Sequence, residues 1–580
     1  MRLFSAPPLR ARRKAHPSSA PGAELLETRL ALALNPVPWA TDLPVYDTGA
    51  PVVRDVWVDP AAGTDAATGA SRETALRTVS EAWRRVPAGA ALATGVRINL
   101  AAGTYDETTV PHYWENRLGT FRAPVILRAA DGAGTARLPA LNVFGCRNFR
   151  VEGVDFSARG GDVVHFEACT HVLLRDVTIR GLGTPATYDS PQEALKVNQS
   201  QHVYLEGCDI SGAFDNAVDF VAVQFGHVVR SRIHGAVDWA MYVKGGSALI
   251  TVAGNEFFNS GTGGFTAGQG TGLEFMTPPW TRHEATSITF RQNVIHDVEG
   301  AGVGVNGGAT IVIQDNVMAN VGARSHVIEV GFGSRSCDGD ATRCRALLAR
   351  GAWGTAVPGD SVPIPNREVS ILRNVVVNDA ASRWQQFMVG TPQAGPPGSN
   401  LPATVVADAG LVIADNVIWN GPPDHPLGIE QAALAAQVAA RNTINVRRPV
   451  LADPARGDFR VVSGGPATAP PLPPLAVVLR VVAPAVGQGV TTISVTFSRP
   501  VQGVSIDDFV LRRGTAEMTL AGAAVTTIDG RVWMITGLPG TRSAGSWSLT
   551  LKARATGILD AFGAVLDRPR GVAWVQTVTG

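Results

Sequence analysis

Lysine is scarce in this chain of 580 residues. Only four of its 50 basic residues are lysine, namely Lys14, Lys196, Lys244 and Lys552, and the other 46 are arginine. Of these two residue types, only lysine loses its proton near neutral pH when it is desolvated. The lysines are therefore candidates for a chemical role that arginine would not serve.

The chain also lacks an excess of charge and a long apolar run. Its formal net charge is +1, so no global field selects nucleic acid or a membrane surface as a partner. It contains no stretch of about 18 or more apolar residues, which excludes a helix that spans a membrane. A charged ligand would have to be recognised by a local cluster of side chains.

Cysteine is rare, with five residues in the chain. Cys337 and Cys344 bracket the short loop CDGDATRC and are predicted to form a disulfide in an exported chain. No CxxC pattern is present, and neither pair has histidine at zinc spacing. Cys146 and Cys169 are interpreted as small buried apolar residues.

Short apolar segments recur along the chain, each with one strand residue that serves as an anchor. The anchors are Phe156, Ile179, Ile210, Ile233, Phe257, Ile295, Met318, Val376 and Ile418. The first seven are separated by 23, 31, 23, 24, 38 and 23 residues. A unit of this length, with short strands and Gly, Asn or Asp turns, is typical of one rung of a parallel β-helix.

Asparagine recurs in the same register. Asn255, Asn293, Asn316, Asn374 and Asn416 each stand two residues before an anchor, and Asn259, Asn320, Asn378 and Asn420 stand two residues after one. Asparagine tolerates the left-handed backbone of a bend, and its amide can bond to the next rung. The repeat therefore predicts columns of bends.

The start of the chain adds a family resemblance. The segment DVWVDPAAGTD…TALRTVSEAW…RINLAAGTY contains a strand at Val56–Val58 and helical spacing over Thr74–Val86. A helix there would cap the open edge of the first rung. This segment resembles the opening of right-handed parallel β-helix proteins of the pectate-lyase-like superfamily, and DPARGDFRVVSGGPA resembles their closing segment. The resemblance implies a carbohydrate-active fold and transfers no catalytic residue by motif.

The predicted fold class is all-β: a right-handed single-stranded parallel β-helix with an N-terminal capping helix, followed by a small C-terminal β-sandwich. Residues 1–50 are predicted as an export leader and linker, with a disordered tail as the alternative. Their segment ELLETRL resembles the LEPR-x-LL motif of exported planctomycete proteins. Residues 51–465 form the β-helix, 466–478 a Pro-rich linker and 479–580 the sandwich, whose SIDDFVL segment resembles bacterial Ig-like modules used for spacing or attachment.

A second strand in each rung alternates inward apolar and outward residues. The predicted outward column contains His165, Lys196, Asp219, Tyr242, Glu274, Gly304 and Glu329. The adjacent outward column contains Glu167, Asn198, Val221, Lys244, Met276, Asn306 and Gly331. The turn residues Glu193, Asp215, Asp238 and Glu299 are expected to edge the same groove. Because neighbouring rungs lie ~4.8 Å apart, Lys196, Asp219 and Tyr242 are expected to be in contact.

This column suits β-elimination from a uronic-acid polysaccharide, which needs a base for the C5 proton and a positive charge near the carboxylate. Lys244 or Tyr242 is the candidate base, and Lys196 is the candidate neutralising charge. A Ca²⁺ ion held by Asp215, Asp219 and Glu274 is the alternative. A lysine base needs a lowered pKa, which flanking carboxylates oppose.

Two alternatives stay open. Inverting glycoside hydrolysis needs two carboxyl groups ~6.5–9.5 Å apart, and Asp219 and Glu274 are expected ~9.6 Å apart on strands two rungs distant. A ladder of alternating charges can also stabilise an exposed face without chemistry, as in a binding or adhesin-type β-helix. The sequence favours the polysaccharide lyase.

Further residues are predicted to bind substrate. His165, Glu329 and Asn306 lie on the outward columns, and Trp280 lies near a long loop where its ring could stack on a sugar. The insertions Gly261–Thr271 and Gly333–Asn366 are predicted to build the walls of the groove. The sequence predicts a secreted or cell-surface monomer whose partner is a polysaccharide.

Overall fold

The computed structural model describes residues 36–157, 160–183, 192–378, 385–390, 399–467, 477–482, 489–527, 530–538, 543–552, 558–560 and 570–576. Residues 53–444 coil into a parallel β-helix in which three parallel sheets run along the axis. Antiparallel sheets follow toward the C-terminus. The predicted all-β fold class, a parallel β-helix followed by antiparallel sheets, is therefore confirmed in the described residues.

The sheets are named here in the order in which the chain visits them. Sheet 1 contains Val53–Val58, Gly95–Leu100, Val125–Ala129, Arg147–Glu152, Thr170–Arg175, Gln201–Glu206, Gln224–Val229, Ser247–Ala253, Ala285–Arg291, Gly308–Gln314, Arg367–Leu372 and Val412–Ala414. Sheet 2 contains Gly103–Thr104, Ala136–Leu138, Asp155–Ser157, Thr178–Arg180, Asp209–Ser211, Arg232–His234, Glu256–Phe258, Val294–Val298, Val317–Val321, Val375–Val377, Val417–Trp419 and Thr443–Ile444. Sheet 3 contains Trp114–Glu115, Leu141–Phe144, Val164–Glu167, Leu195–Asn198, Val218–Val221, Trp239–Lys244, Gly263–Ala267, Ala301–Asn306, His326–Gly331 and Gln385–Val389.

The predicted anchors form one continuous ladder in sheet 2. Phe156, Ile179, Ile210, Ile233, Phe257, Ile295, Met318, Val376 and Ile418 pair from strand to strand in this order. All nine side chains are fully buried. Every rung therefore places one apolar side chain at the same point of the core, as the repeat predicted.

The asparagines that precede the anchors form a ladder of buried amides. Each of Asn293, Asn316, Asn374, Asn416 and Asn442 accepts hydrogen bonds at Oδ1 from the backbone N–H and the Nδ2 of the preceding rung's asparagine, at 2.8–3.1 Å. The bonding between rungs is as predicted, but the left-handed residue is the one just before each asparagine, such as Gln292 or Asp315. The left-handed prediction holds for Asn259 and Asn320, which follow the anchors.

One rung of sheet 3 differs from the prediction. The strand predicted there was Gly272–Met276, but the structure places Gly263–Ala267 in the sheet, with Phe265 pairing with Met241 and Thr266 pairing with Tyr242. Residues Leu273–Phe275 form a 3₁₀ helix outside the sheet. Thr266 therefore occupies the column position that had been predicted for Glu274.

A helix covers the first rung. It spans Val79–Arg84, follows a 3₁₀ turn at Arg72–Thr74, and begins at Thr78, whose side chain accepts a hydrogen bond from the Glu81 N–H at 3.1 Å. The predicted apolar residues Ala75, Val79, Ala82 and Val86 are all buried. The helix is shorter than predicted but covers the predicted face of the core.

Residues 36–50 form a strap along the outside of the β-helix. Arg291 donates to the carbonyl of Thr41 at 3.1 Å, and the Tyr46 N–H donates to Glu206 at 2.6 Å. The Tyr46 ring packs on Tyr204 with 4.4 Å between centroids. This part of the predicted leader and linker is therefore bound to the β-helix, whereas the motif at Glu24–Leu30 lies outside the described residues.

Two insertions meet beside sheet 3. Gly270–Gly272 pairs in parallel with Gly333–Ser336, which pairs antiparallel with Ser361–Ile364. A helix spans Ala341–Ala349, and the predicted disulfide joins Cys337 to Cys344. A fully buried ion pair between Arg335 and Glu284 ties these insertions to the β-helix. The insertions form a fixed wall rather than open loops.

The β-helix closes with a helix at Ala432–Arg441, a 3₁₀ turn at Pro454–Arg456, and a hairpin of Val450–Asp453 and Asp458–Ser463. The C-terminal module has two four-stranded antiparallel sheets and a short strand pair, with a 3₁₀ turn at Ile506–Asp508. Its strands are Val477–Val481, Thr492–Phe497, Val501–Gln502, Phe509–Arg513, Ala516–Met518, Ala524–Thr527, Val532–Thr536, Gly545–Leu551, Leu559–Asp560 and Arg570–Gln576. No helix in the described residues is long and apolar enough to cross a membrane.

The module packs against the β-helix. Leu249 and Trp280 share one buried apolar cluster with module residues such as Trp533, and the Phe225 ring lies 6.0 Å from that of Trp533. The predicted Pro-rich linker lies largely outside the described residues. The module that was predicted to serve as a spacer is therefore docked on the β-helix.

Candidate functional site

Sheet 3 brings the central part of the predicted column together. Lys196 pairs in register with Asp219, and Asp219 pairs with Tyr242 on the next strand. Lys244 lies two residues beyond Tyr242 and pairs with Val221. These four predicted catalytic residues therefore occupy three successive rungs of one face.

A cavity of about 470 Å³ opens on this face. Its lining comprises Glu167, Glu193, Lys196, Asn198, Gln199, Asp215, Asp219, Val221, Tyr242, Lys244, Gly270, Thr271, Gly272, Phe275, Ser336 and Asp338. Sheet 3 forms the floor, and the two insertions form one side. The prediction that the segment after Gly333 builds a wall is confirmed by Ser336 and Asp338.

Lys196 is held between two carboxyl groups. Its Nζ lies 3.0 Å from Glu193 Oε1 and 3.7 Å from Asp219 Oδ2. Burial opposes the charged form, but the charges of Asp219, Glu193 and Asp162 outweigh it and raise the pKa of Lys196 above its ordinary value. Lys196 is therefore a fixed cation and cannot act as a base near neutral pH.

Asp219 is a buried carboxyl group with an incomplete set of partners. Only 2% of the residue is exposed, and burial raises the pKa of Asp219 to about 7 against the pull of Lys244. Among the described residues, its Oδ1 has no hydrogen-bond partner, and neither has the buried Oδ1 of Asn198, which lines the same cavity. A buried acceptor without a donor is costly, so both oxygens favour a ligand that brings hydroxyl groups.

Three carboxyl groups share protons at this end of the cavity. Glu193 forms side-chain hydrogen bonds with Asp162 and Asp219. Burial and the hydrogen bond to Glu193 raise the pKa of Asp162 to about 7. Burial acts against the charge on Glu193, but the bonds from Asp162 and the nearby Lys196 keep its pKa below the ordinary value. Glu193 thus carries the negative charge and its two neighbours carry the protons.

Lys244 and Tyr242 form the opposite end of the polar floor. Lys244 Nζ donates to Tyr242 Oη at 2.9 Å and to Gln269 Oε1 at 3.3 Å, and it lies 4.1 Å from the Tyr242 ring centroid. Burial, with the negative charges of Asp219 and Asp215, raises the pKa of Tyr242 well above its ordinary value. Tyr242 therefore keeps its proton and can donate it.

Two of the four turn acids named from the sequence, Glu193 and Asp215, line the cavity, whereas Asp238 and Glu299 do not. Burial and the charges of Glu193 and Asp238 raise the pKa of Asp215 to about 6. Burial also raises the pKa of Asp238, against a hydrogen bond from Thr262 and the charge of Lys244. Asp215 lines the cavity and is more exposed than Asp219. An aspartate that titrates near pH 6 is suited to accept a proton near neutrality.

Glu274 does not belong to this cluster, which corrects its predicted place. Its buried carboxylate accepts backbone N–H bonds from Asp338, Gly339 and Asp340 at 2.8, 2.7 and 3.2 Å. The prediction was wrong because the segments GLEFM and GGFTA both alternate. GGFTA, which has the smaller residues, forms the strand of sheet 3. Glu274 is thus occupied in holding the loop after Cys337.

The predicted Ca²⁺ ligand set does not fit the structure. Glu274 is directed to the insertion, and the ammonium group of Lys196 lies beside Asp219 where a cation would sit. In the described part of the chain, Glu274, Cys337 and Cys344 are the one group at metal-ligand spacing, but the two cysteines are joined in a disulfide.

Trp280 is not an exposed platform as predicted. It is only 7% exposed and packs with Leu249 and the C-terminal module. Its carbonyl lies where a side chain at Gly246 would be, which leaves room only for glycine there. The exposed aromatic residue at the cavity is Phe275.

The other predicted substrate-binding residues lie on the same sheet but do not line the cavity. His165 is beside Asn198, with 3.4 Å between the ring Nε2 and Nδ2, and burial lowers its pKa. Asn306 donates to Glu329 at 2.6 Å, and Glu329 also contacts the His326 ring at 2.9 Å. Asn306, Glu329 and His326 form a separate polar group farther along the sheet, whereas His165 lies on the strand next to Lys196 at the other end.

Sequence reasoning missed Asp162 and Phe275. Asp162 stands two residues before its strand, as Glu193 does in the next rung, so the same turn position would have found it. Phe275 had been assigned inward because its strand was misplaced. Only the contact between the two insertions, which is remote in sequence, brings it to the cavity.

Comparison with known proteins agrees with the fold. A family model described as a right-handed β-helix region matches residues 137–277. No curated protein matches the chain. Together with the strand pairing of the three sheets, this match identifies the fold of residues 53–444 as a right-handed parallel β-helix.

Three solved structures are similar at low identity. Pectate lyase Pel9A is 14% identical, with 59% of this chain and 80% of that chain covered and a TM-score of 0.37. The A-module of Azotobacter vinelandii mannuronan C-5 epimerase AlgE6 is 12% identical, with 61% and 88% covered and a TM-score of 0.26. The Streptococcus pneumoniae surface protein and adhesin PfbA is 10% identical, with 56% and 83% covered and a TM-score of 0.34.

Proposed function

We propose that the protein binds an acidic, uronate-containing polysaccharide in the sheet 3 cavity and cleaves it by β-elimination. The observation that carries the proposal is the position of Lys196 and Lys244. They are the only lysines between residues 15 and 551, and both line one cavity. Two ammonium groups, two unpartnered acceptors and proton-bearing carboxyl groups match a ligand that has carboxylates and hydroxyl groups.

The roles follow from the protonation states. The ammonium groups of Lys244 and Lys196 face the uronate carboxylate and make the C5 proton more acidic. Asp215, with a pKa of about 6, takes that proton as the base. The C4–O bond breaks as the C4–C5 double bond forms, and Tyr242 donates its hydroxyl proton to the leaving oxygen. Asp219 and Asp162 hold neutral carboxyl groups beside the lysines, which preserves the positive charge of the site.

This assignment replaces the predicted lysine or tyrosine base. Burial and the carboxylates around Tyr242 hold its pKa high, and the Nζ of Lys244 is engaged as a donor to Tyr242 Oη and Gln269 Oε1. Both residues are therefore better suited to supply charge or a proton than to take one. The aspartate raised by burial is the group whose pKa lies near the working pH.

The test is product formation on a panel of polygalacturonate, alginate and glycosaminoglycans, with and without Ca²⁺. We expect an absorbance rise from the unsaturated product on at least one polymer. Lys244→Ala should lower the rate at least 100-fold, on the scale of a lost electrostatic contact in a transition state, with little change in thermal midpoint. Lys552→Ala, in the C-terminal module, is the matched control and should leave the rate unchanged. No product with any polymer would contradict the proposal.

One observation favours a second candidate, which is binding without cleavage. Asp219 and Tyr242 are 2% and 4% exposed, so their polar atoms offer little surface to a substrate. In that case the same polymers would bind, no unsaturated product would appear, and Lys244→Ala would weaken binding alone. Reducing ends without the absorbance rise would instead indicate a hydrolase, whose predicted pair Asp219 and Glu274 is not supported by the position of Glu274.

The proposal includes export from the cytoplasm. The disulfide between Cys337 and Cys344 closes a loop that contributes Asp338 to the cavity wall. Structural disulfides persist in oxidising compartments. A secreted or cell-surface location is therefore proposed, and it is also where a polysaccharide would be met.

A further inference from the structure

Phe275 stands at the cavity as an exposed aromatic side chain on a rigid support. It is 48% exposed and lies at the end of the 3₁₀ turn Leu273–Phe275. A single exposed apolar residue is common on protein surfaces and needs no explanation. The unusual feature is that hydrogen bonds on both sides hold the turn that carries this residue beside the cavity.

The first support is Glu274. Its buried carboxylate gathers the backbone N–H groups of Asp338, Gly339 and Asp340. Bonds to a charged acceptor are among the stronger ones in proteins. Glu274 thereby joins the turn that carries Phe275 to the disulfide-closed loop of the second insertion.

The second support comes from sheet 3. Gln199, in the turn after the strand Leu195–Asn198, donates from Nε2 to the carbonyl of Phe275 at 3.0 Å. Close packing adds to this, because a side chain on Gly272 would lie 2.6 Å from Asp338 Oδ2 and 2.8 Å from Glu274 Oε2. The backbone of Phe275 is thus held beside the strand that carries Lys196.

The cavity contains the complementary polar groups. The Oδ1 atoms of Asp219 and Asn198, which have no partner among the described residues, suit hydroxyl donors, and the ammonium groups of Lys196 and Lys244 suit a carboxylate. A pyranose ring has hydroxyl groups at its edge and C–H groups on its faces, and a uronate adds a carboxylate. Such a ring can satisfy the polar floor and still present a C–H face to an aromatic ring.

We propose that Phe275 is a sugar-stacking platform for the bound polysaccharide, with Glu274 as the residue that positions it. This inference rests on the proposed function, because it requires a polysaccharide in the cavity. In this arrangement the wall recognises the apolar face of one sugar ring. The neighbouring sugar ring carries the carboxylate that contacts the lysines. Phe275 touches no reacting atom in this arrangement.

The test compares binding and turnover in a set of variants, using an oligomer of whichever polymer the wild-type protein takes up. Phe275→Ala should weaken binding and raise KM by roughly tenfold, with kcat nearly unchanged. Phe275→Trp should retain the affinity. Arg345→Ala, on the exposed side of the helix Ala341–Ala349, is the matched control and should behave as wild type.

A double-mutant cycle tests the positioning role. Glu274→Ala should weaken binding by the same factor as Phe275→Ala, and the double variant should show no further loss, because both changes remove one interaction. Additive losses would contradict the role of Glu274. If Glu274→Ala does not fold, Glu274→Gln, which keeps the acceptor oxygen but removes its charge, is used in the same cycle.

The outcomes separate the two proposals. If the wild-type protein binds none of the polymers, the proposed function fails and the platform fails with it. If the wild-type protein binds and Phe275→Ala binds equally well, the platform alone is wrong. A fall in kcat with unchanged KM would also overturn it, since that result would place Phe275 at the reacting atoms.

Discussion

Asp219 shows how one residue couples the stability of the protein to the chemistry of its cavity. Burial raises the pKa of this carboxyl group to about 7, although Lys196 lies 3.7 Å away. The cost of desolvating the carboxylate thus exceeds the benefit of the nearby ammonium groups. The folded protein binds a proton here that the unfolded chain releases near pH 4.

This difference predicts a fall in stability as pH rises. The folded-state pKa exceeds the unfolded value of about 4, so the stabilisation is complete below pH 4 and is lost as pH rises through about 7. Asp219→Asn should flatten this decline, because its amide mimics the neutral acid. Calorimetric midpoints between pH 4 and 8 measure the effect.

The control for that prediction is Asp209, whose pKa is lowered in the folded protein rather than raised. Burial acts against the charge on Asp209, but the hydrogen bond and charge of His234, with Arg232, lower its pKa. Asp209→Asn should therefore remove a stabilisation that is constant above about pH 4, which lowers the midpoints between pH 4 and 8 without changing their slope. An Asp219→Asn profile parallel to that of the wild-type protein would show that Asp219 is not protonated in the folded state.

At the scale of the element, the asparagine ladder joins six successive rungs, from Asn255 to Asn442. Asn293 Oδ1 accepts from the backbone N–H of Asn255 at 2.9 Å, and its Nδ2 donates to the carbonyl of Val252 at 3.0 Å. Removing the amide would leave both backbone groups buried without this partner. Each orphaned group costs roughly 1–3 kcal/mol.

Asn293→Ala should therefore lower the free energy of unfolding by roughly 2–5 kcal/mol. Asn320→Gly is the control, because Asn320 is exposed and left-handed, a conformation that glycine adopts without strain. Its effect should be below about 1 kcal/mol. Equal losses for the two variants in denaturant unfolding would mean that the ladder adds no stability of its own.

The sequence predicted the nine anchor positions of sheet 2 correctly, whereas it predicted the strands of sheet 3 only in part. Anchors such as Ile233 and Ile295 could be found because each is a β-branched or aromatic residue in a rung that has no competing strand. Thr266 was missed because Gly263 and Gly264 resemble a turn, and the following GLEFM has the stronger alternation. Glycine is needed at position 263 because a side chain there would overlap the ring of Trp239.

The cavity was predictable to the same extent. Lys196, Asp219 and Tyr242 follow one another at a spacing of 23 residues, so strand alternation sufficed to place them and Lys244 on one face. Phe275 and Asp338 come from insertions whose pairing depends on the buried Arg335 and Glu284. No periodicity in the sequence records such a pairing.

At the scale of the whole molecule, the C-terminal module and the strap cover sheet 1. Leu249 and Trp280 are buried against the module, and His202 stacks between His171 and Phe225 at 4.3 and 4.8 Å. Burial lowers the pKa of His171 to about 4, and it also lowers the pKa of His202 well below its ordinary value. The sheet 1 surface is therefore built to be covered rather than to face water.

A chain that ends at residue 467 should expose this surface. We expect it to bind a hydrophobic dye, to self-associate and to melt at a lower temperature than the full chain, because an apolar patch is uncovered. The full chain should melt in one calorimetric transition. Two separate transitions, with an unchanged midpoint for the shortened chain, would show that the module is an independent spacer, as the sequence suggested.

The most direct test of the account is a crystal structure of the protein with a bound oligouronate from the polymer that it cleaves or binds. We predict a uronate carboxylate within hydrogen-bond distance of Lys196 or Lys244, sugar hydroxyl groups on Asp219 and Asn198, and one ring face on Phe275. Density for the sugar elsewhere on the molecule, with the sheet 3 cavity empty, would contradict the assignment of this cavity as the functional site.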